Sequence, residues 1–196
     1  MAKKETTLLQ LVLSLCLISI VAAAGLASVY AITKEPISTS QKQKKVDAMK
    51  LVLSGFSGET KELKILLPDD KDTVPVHLAY NGSQLFGAAV ETYTDKAFNG
   101  SFTLMVGFDS LGNITGVEVL NANETPGLGD KIDKKKDEKF SEQFLNKNPN
   151  NFNLKVNKDG GEVDAITAAT ISSRAYCDAL KRAYSAFIKA KEVPNE

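Results

Sequence analysis

Hydrophobic and polar positions divide this chain into two regimes. From Leu8 to Ile32 the run "LLQLVLSLCLISIVAAAGLASVYAI" carries no charged residue. As a helix rising about 1.5 Å per residue it reaches about 37 Å, enough to cross a hydrocarbon core of about 30 Å with some tilt. Residues 33–45 are polar with one proline and read as a juxtamembrane linker. Val46, Met49, Leu51, Val52 and Leu53 then fit a short amphipathic helix.

Alternation takes over further on. "ELKILL" fits a strand, and "PDDKDTVP" reads as a loop by its turn chemistry. Residues 84–94, 101–109 and 114–122 predict three strands, with Phe102, Leu104 and Val106 on one face of the second. Their connections are too short for parallel crossovers, so the pattern predicts an antiparallel meander. "DKKKDEKFSEQFLNK", residues 133–147, predicts a charged helix with Phe140 and Phe144 one turn apart. "FNLKVN" and "GEVDAI" flank "KDGG", a hairpin signal. From 171 to 191 the pattern is helical, with Tyr176, Leu180, Ala183, Tyr184, Phe187 and Ile188 on one face.

The expected fold class is α+β: one N-terminal transmembrane helix, then a single domain with a twisted antiparallel sheet flanked by helices. Lys3 and Lys4 precede the apolar run, and the positive-inside rule puts them in the cytoplasm. The expected organisation is a cytoplasmic N-terminus over 1–7, the transmembrane helix over 8–32, the linker over 33–45 and an extracytoplasmic domain over 46–196. A cleaved signal peptide is the rival reading of the run, but its apolar region is usually only about 7–15 residues. Either reading exports the rest of the chain.

Composition narrows the chemistry. Lys+Arg 24 balance Asp+Glu 24, so no uniform field favours nucleic acid. One histidine, His77, and two cysteines, Cys16 and Cys177, cannot furnish an ordinary zinc site. Nothing near His77 looks like a nucleophile elbow. Both cysteines read as free small hydrophobes.

Two segments remain unusual. "ETPGLG", Glu124 to Gly129, directly follows a strand: Pro126 fixes φ, while Gly127 and Gly129 permit positive φ and close backbone approach. "DAITAATISS", Asp164 to Ser173, leads into the last helix, whose N-terminus offers unpaired N–H groups and partial positive charge to an anion. By composition alone the first reads as an ordinary tight loop and the second as a threonine helix cap.

Order and spacing add a resemblance. The apolar anchor, "FNGSFTLMVGFD", "ETPGLG" running into "GLGDKI", the Phe140-x-x-Gln143-Phe144 pattern and "DAITAAT" together resemble the covalent-FMN-binding domain family. Within it the chain is most similar to the G component of the Rnf ion-translocating electron-transport complex. The C component of the sodium-pumping NADH:quinone reductase is the alternative branch, and the compact ectodomain favours the Rnf branch. In that family an Asp-x-x-Ser/Thr-Gly-Ala-Thr motif carries FMN on its last threonine, as a phosphoester made by a flavin transferase. The resemblance implies Thr170 as the covalent attachment point, with Asp164, Thr167, Ala168 and Ala169 completing the motif. Ala168 stands where the family usually has glycine, and Ala165 where glycine is frequent. Glu124, Thr125, Gly127, Leu128 and Gly129 would lie beside the ring, with Leu128 and Thr125 as contacts.

The resemblance further implies an electron-relay member of a ferredoxin:NAD oxidoreductase complex that acts as a translocase, not a catalyst on its own. It would have no catalytic residue, no metal and covalent FMN as its cofactor. Its partners would be the other membrane subunits and the flavin transferase, with no nucleic acid and no diffusible small-molecule substrate. Its place would be the bacterial inner (cytoplasmic) membrane, single-pass, with the FMN domain on the periplasmic side. A non-enzymatic envelope scaffold with Thr170 as a mere cap is the competing expectation.

Overall fold

A computed structural model describes residues 7–68 and 72–193. Lys3 and Lys4, and residues 69–71 of the expected "PDDKDTVP" loop, lie outside the described residues. The chain forms two compact units, residues 1–44 and 45–196.

The first helix, α1, runs Leu8–Val52. In the first unit its apolar side chains are exposed from Leu8 to Ile32, so this helix is long and apolar enough to cross a membrane. Three of its hydroxyls are satisfied within the helix: Ser14 donates to the Leu11 carbonyl at 2.9 Å, Ser28 to that of Ala24 at 2.8 Å and Thr33 to that of Val29 at 2.8 Å. Internal satisfaction is what a water-free surrounding demands. Residues 33–45 are also helical, through Pro36. A single proline removes one donor, and the lysines and glutamines that follow are good helix formers. The expected separate helix near Val46 is therefore the last part of α1.

The second unit is a meander of five antiparallel strands in the order β1-β2-β3-β4-β5: β1 (Thr60–Leu66), β2 (Thr73–Asn81), β3 (Gln84–Ala97), β4 (Gly100–Asp109) and β5 (Ile114–Asn121). Strand β2 was not among the sequence expectations. Pro75 interrupts its pattern, and it is tolerated because it faces Lys64 of β1 where the pairing with β3 has not yet begun, at Val76.

One face of the sheet carries the main core. Leu78, Val90, Phe102, Leu104, Val106 and Phe108 pack with Ala179, Leu180, Ala183 and Phe187 of the last helix, α3 (Thr170–Lys191). On the other face Ala48, Val52 and Leu53 pack with Ala79, Ala89, Met105 and Leu120. Gly107 and Gly116 leave room for Val52, and the Thr115 hydroxyl donates to the Val52 carbonyl at 2.6 Å. The sheet is thus flanked by helical segments on both faces.

Two expectations fail locally. The helix over 133–147 shrinks to α2, Glu138–Glu142. Asp137 caps its start, accepting from the Lys139 N–H. Its continuation is diverted because Asn146 takes a left-handed φ of 59°. The amide of Asn146 bonds the Ile114 carbonyl, and the amide of Ile114 bonds that of Lys147. Edge pairing with β5 outweighs helix propensity there. The "KDGG" segment is no antiparallel hairpin either. A 3-10 turn at Asn157–Asp159 and left-handed Gly160 carry the chain round a full loop, so Val156 and Val163 meet as a parallel bridge.

Candidate functional site

The loop leaving β5 closes on itself. The Thr125 carbonyl accepts from the amides of Leu128 (3.1 Å) and Asp130 (3.3 Å), and Gly127 sits at φ 76°. Glu124 then fastens the loop to two other elements. Its Oε1 accepts from the Phe98 N–H at 3.2 Å, at the tip of the β3–β4 hairpin, and its Oε2 accepts from the Ser172 hydroxyl at 2.9 Å, on α3. Gly129 is buried against this carboxylate. A Cβ at that position would overlap Glu124 and come within 2.7 Å of the Ser172 hydroxyl. That contact, rather than a turn, is why glycine stands there.

The segment leading into α3 is held differently. Gln143 clamps the backbone of Asp164: its Oε1 accepts from the Asp164 N–H at 2.8 Å and its Nε2 donates to the Asp164 carbonyl at 3.2 Å. The phenylalanines on either side of Gln143 pack on Tyr176 of α3, each ring centroid 5.1 Å from the tyrosine ring. The Phe140-Gln143-Phe144 pattern therefore joins the helix to the strand-like approach. Further along, Ser173, fully buried, bridges the turn: its Oγ accepts from the Ile166 N–H and donates to the Ala169 carbonyl, each at 3.0 Å. Ala168 adopts a left-handed φ of 61°, a conformation costing a residue with a Cβ about 1–2 kcal/mol. Here lies the physical reason for the glycine that the resemblance leads one to expect at this position.

Thr170 is the first residue of α3, not its cap. The cap position is Ala169, no side chain caps the helix, and its first turn holds no acidic residue. The initial amides of α3 therefore lack intrahelical acceptors and keep their positive potential. Thr170 is half-buried, and among the described residues its hydroxyl has no hydrogen-bond partner. On the same helix the next two hydroxyls are already engaged, Ser172 with Glu124 and Ser173 with the turn.

These features converge on a cavity of about 260 Å³ that brings together Glu124, Thr125, Leu128, Gly129, Ala168, Ala169 and Thr170. Phe98, Ile171 and Ser172 complete its wall and were not singled out from the sequence. The sequence signal for Phe98 is slight, an aromatic residue beside an Asn-Gly turn, and in the fold it is 65 % exposed. Three residues of the expected set stand outside the wall. Gly127 shapes the loop from open space. Asp164 and Thr167 line a neighbouring depression with Lys131, Lys139 and Gln143, and the Asp164 carboxylate accepts from the Asn157 amide.

Across Ile171 lies a larger groove of about 490 Å³. Four of its charges are paired within the protein: Arg174 grips both oxygens of Asp159 at 2.7 and 2.8 Å, and Lys96 bonds Asp178 at 2.6 Å. The Arg174 bond holds the Asp159 carboxyl below its ordinary value, and the Asp178 bond raises the Lys96 ammonium. Cys177 is free, and burial pushes its thiol up to about 12, which leaves it inert. The smaller cavity differs in offering an unengaged hydroxyl beside unpaired amides.

Comparison with known proteins adds the family. Residues 98–185 match the FMN-binding domain family, a span that holds both arms of the cavity. A protein of Aliivibrio fischeri, named as the G component of an ion-translocating oxidoreductase complex, is 37 % identical over 188 residues, covering 91 % of this chain and 89 % of its own length. A protein of the same name from Vibrio cholerae serotype O1 is 33 % identical over 183 residues, covering 87 % and 86 %. One from Shewanella loihica is 40 % identical over 119 residues, covering 59 % and 56 %.

Proposed function

This chain belongs to the family of G components of ion-translocating oxidoreductase complexes, and from that premise we propose that it is a membrane-bound electron relay carrying FMN esterified to Thr170. The observation that carries the assignment is the free Thr170 hydroxyl in the cavity at the uncapped start of α3. The residues fit the group. Unpaired amides and the helix potential suit a phosphate. Ala168 and Ala169 leave the approach to the hydroxyl unobstructed, while Leu128 and Thr125 offer an apolar and a polar contact to a flat ring. At about 260 Å³ the cavity encloses only part of so large a ligand. The remainder would stand open to a neighbouring protein of the complex, as a relay requires.

When bound, FMN accepts and releases electrons singly or in pairs. The chain's own residues do the rest. Thr170 would supply the oxygen of the ester by displacing the leaving phosphate of an activated, pyrophosphate-linked FMN donor: the donor's P–O bond breaks as the threonine P–O bond forms, the threonine proton leaves with the departing phosphate, and the chain gains one FMN less one water. A dedicated flavin transferase would make that bond, with the Asp164–Thr167 approach outside the cavity available for it to grasp. The tether removes dissociation as a route of loss in open solvent. Glu124 and Gly129 hold the ring-side loop against α3, and Gln143 holds the threonine-side approach. No residue of the chain turns over a diffusible substrate, and electrons pass to and from other members of the complex.

The apolar part of α1 would anchor the chain in the membrane, with its N-terminus in the cytoplasm and the FMN domain outside. With no Asp, Glu, Lys, Arg or His between Leu8 and Ile32, that helix would offer no ion path of its own. The test is flavin fluorescence on denaturing gels of the full chain co-produced with a flavin transferase. The wild-type band should fluoresce and that of Thr170→Ala should be dark; a fluorescent Thr170→Ala band contradicts the assignment.

A further inference from the structure

Resting on that reading of the cavity, we infer that Glu124 sets the electron affinity of the bound flavin: a fixed, unneutralised carboxylate in the cavity wall keeps the ring harder to reduce than a neutral side chain would.

Glu124 is held in place from both oxygens. The Phe98 amide donates to one at 3.2 Å and the buried Ser172 hydroxyl to the other at 2.9 Å. The missing Cβ of Gly129 makes the space in which the carboxylate lies. Three separate elements thus hold it: the hairpin tip, the loop after β5 and the first turn of α3. Among the described residues it makes no ion pair. A half-buried carboxylate without a counter-ion is costly to keep, and a strap between Phe98 and Ser172 needs only an uncharged acceptor. The charge itself is what remains to be explained. Its position supplies the reason. It lines the same cavity as Leu128, Thr125 and Thr170, where the ring of a flavin tethered at Thr170 would lie. Reduction brings negative charge or a proton to that ring, and a nearby fixed negative charge opposes the added electron.

The experiment uses the full-length chain in detergent, co-produced with a flavin transferase and equilibrated with a reduced indicator dye of known potential. Each electron the flavin gains is one the dye loses, and the ratio of reduced to oxidised flavin is read per bound flavin from absorbance. At a fixed dye potential, Glu124→Gln and Glu124→Ala should each raise that ratio at least about tenfold, the size a unit charge about 12 Å away gives at an effective permittivity of about 20, with a closer ring responding more. Tenfold corresponds to about 59 mV for a one-electron couple. Ser172→Ala keeps the charge and loses one of its bonds, and should move the ratio by a much smaller factor. Loaded Glu124→Gln and Glu124→Ala that titrate with the wild type overturn the inference while leaving the flavin site intact. So does a Ser172→Ala shift as large as theirs, which would make position, not charge, the determinant. A wild-type chain without covalent flavin overturns the site and the inference together.

Discussion

The loop 124–129 reaches the cavity from the end of β5 and is held there by a carboxylate and a missing side chain. The segment 164–170 reaches it from no regular element and is held by a glutamine on its backbone and a buried serine hydroxyl. In the first, the holding group also faces the cavity. In the second, the holding groups face away from it, and the one hydroxyl that faces it, on Thr170, holds nothing. Under the proposed attachment, structure and reactivity would be separated by three residues on one helix: Ser173 is spent on the fold, while the Thr170 hydroxyl would be the one that reacts.

Exchanging the roles of those two hydroxyls breaks the comparison most forcefully. Thr170→Ala should abolish covalent flavin completely while shifting unfolding free energy by less than about 1 kcal/mol, since no capping bond is lost; fluorescence on a denaturing gel and a denaturant titration read the two quantities. Ser173→Ala should do the reverse. It leaves the buried Ile166 amide without its acceptor, at about 1–3 kcal/mol, yet the chain that folds should still accept flavin. Equal loss of flavin in both variants would mean that the turn, rather than the hydroxyl, is what the Thr170 change disturbs.

A smaller effect sharpens the account of the approach. Ala168→Gly removes a left-handed alanine, and stability should rise by up to about 1 kcal/mol, offset in part by the freedom glycine gains in the unfolded chain. An unchanged or lower melting temperature would show that the positive φ of 61° carries no strain. The smallest effect belongs to His77, on β2, which lines neither segment. Its burial lowers its affinity for a proton, opposed by Glu62 and Glu91. The fold prefers the neutral ring, so its contribution is full above the unfolded value of about 6.5 and is lost as pH falls through the lower folded value. Acidification from neutral towards pH 5 should destabilise the wild type more than His77→Gln; parallel pH profiles would remove His77 from the explanation.

The same contrast governs what could be read from the sequence. Loop 124–129 and the entry to α3 are local features, signalled by glycine, proline and small polar residues, and both lie where those signals put them. The meander β3–β4–β5 was legible because alternation and short connections are local too. What escaped reading depends on distant partners. Strand β2 was hidden by Pro75, which is harmless only because of where the pairing with β3 begins. The helix expected over 133–147 already ends at Glu142, and beyond it Ile114 claims the Asn146 amide and the Lys147 carbonyl. Gln143 belongs to a local sequence pattern, but its grip on Asp164, 21 residues on, exists only in the fold. Phe98 joins the cavity because a hairpin tip is tied to Glu124, 26 residues away. Asp164 shows the converse: although it is the first residue of the threonine motif, its carboxylate turns to Asn157.

The most direct measurement is tandem mass spectrometry of the tryptic peptide Asp159–Arg174 from the chain purified out of its own membranes. That peptide contains Thr167, Thr170, Ser172 and Ser173 together. Its mass should exceed that of its amino acids by one FMN less one water, with fragment ions placing the increment on Thr170. An unmodified peptide, or an increment on Thr167, Ser172 or Ser173, would contradict the assignment of the free hydroxyl as the site of attachment.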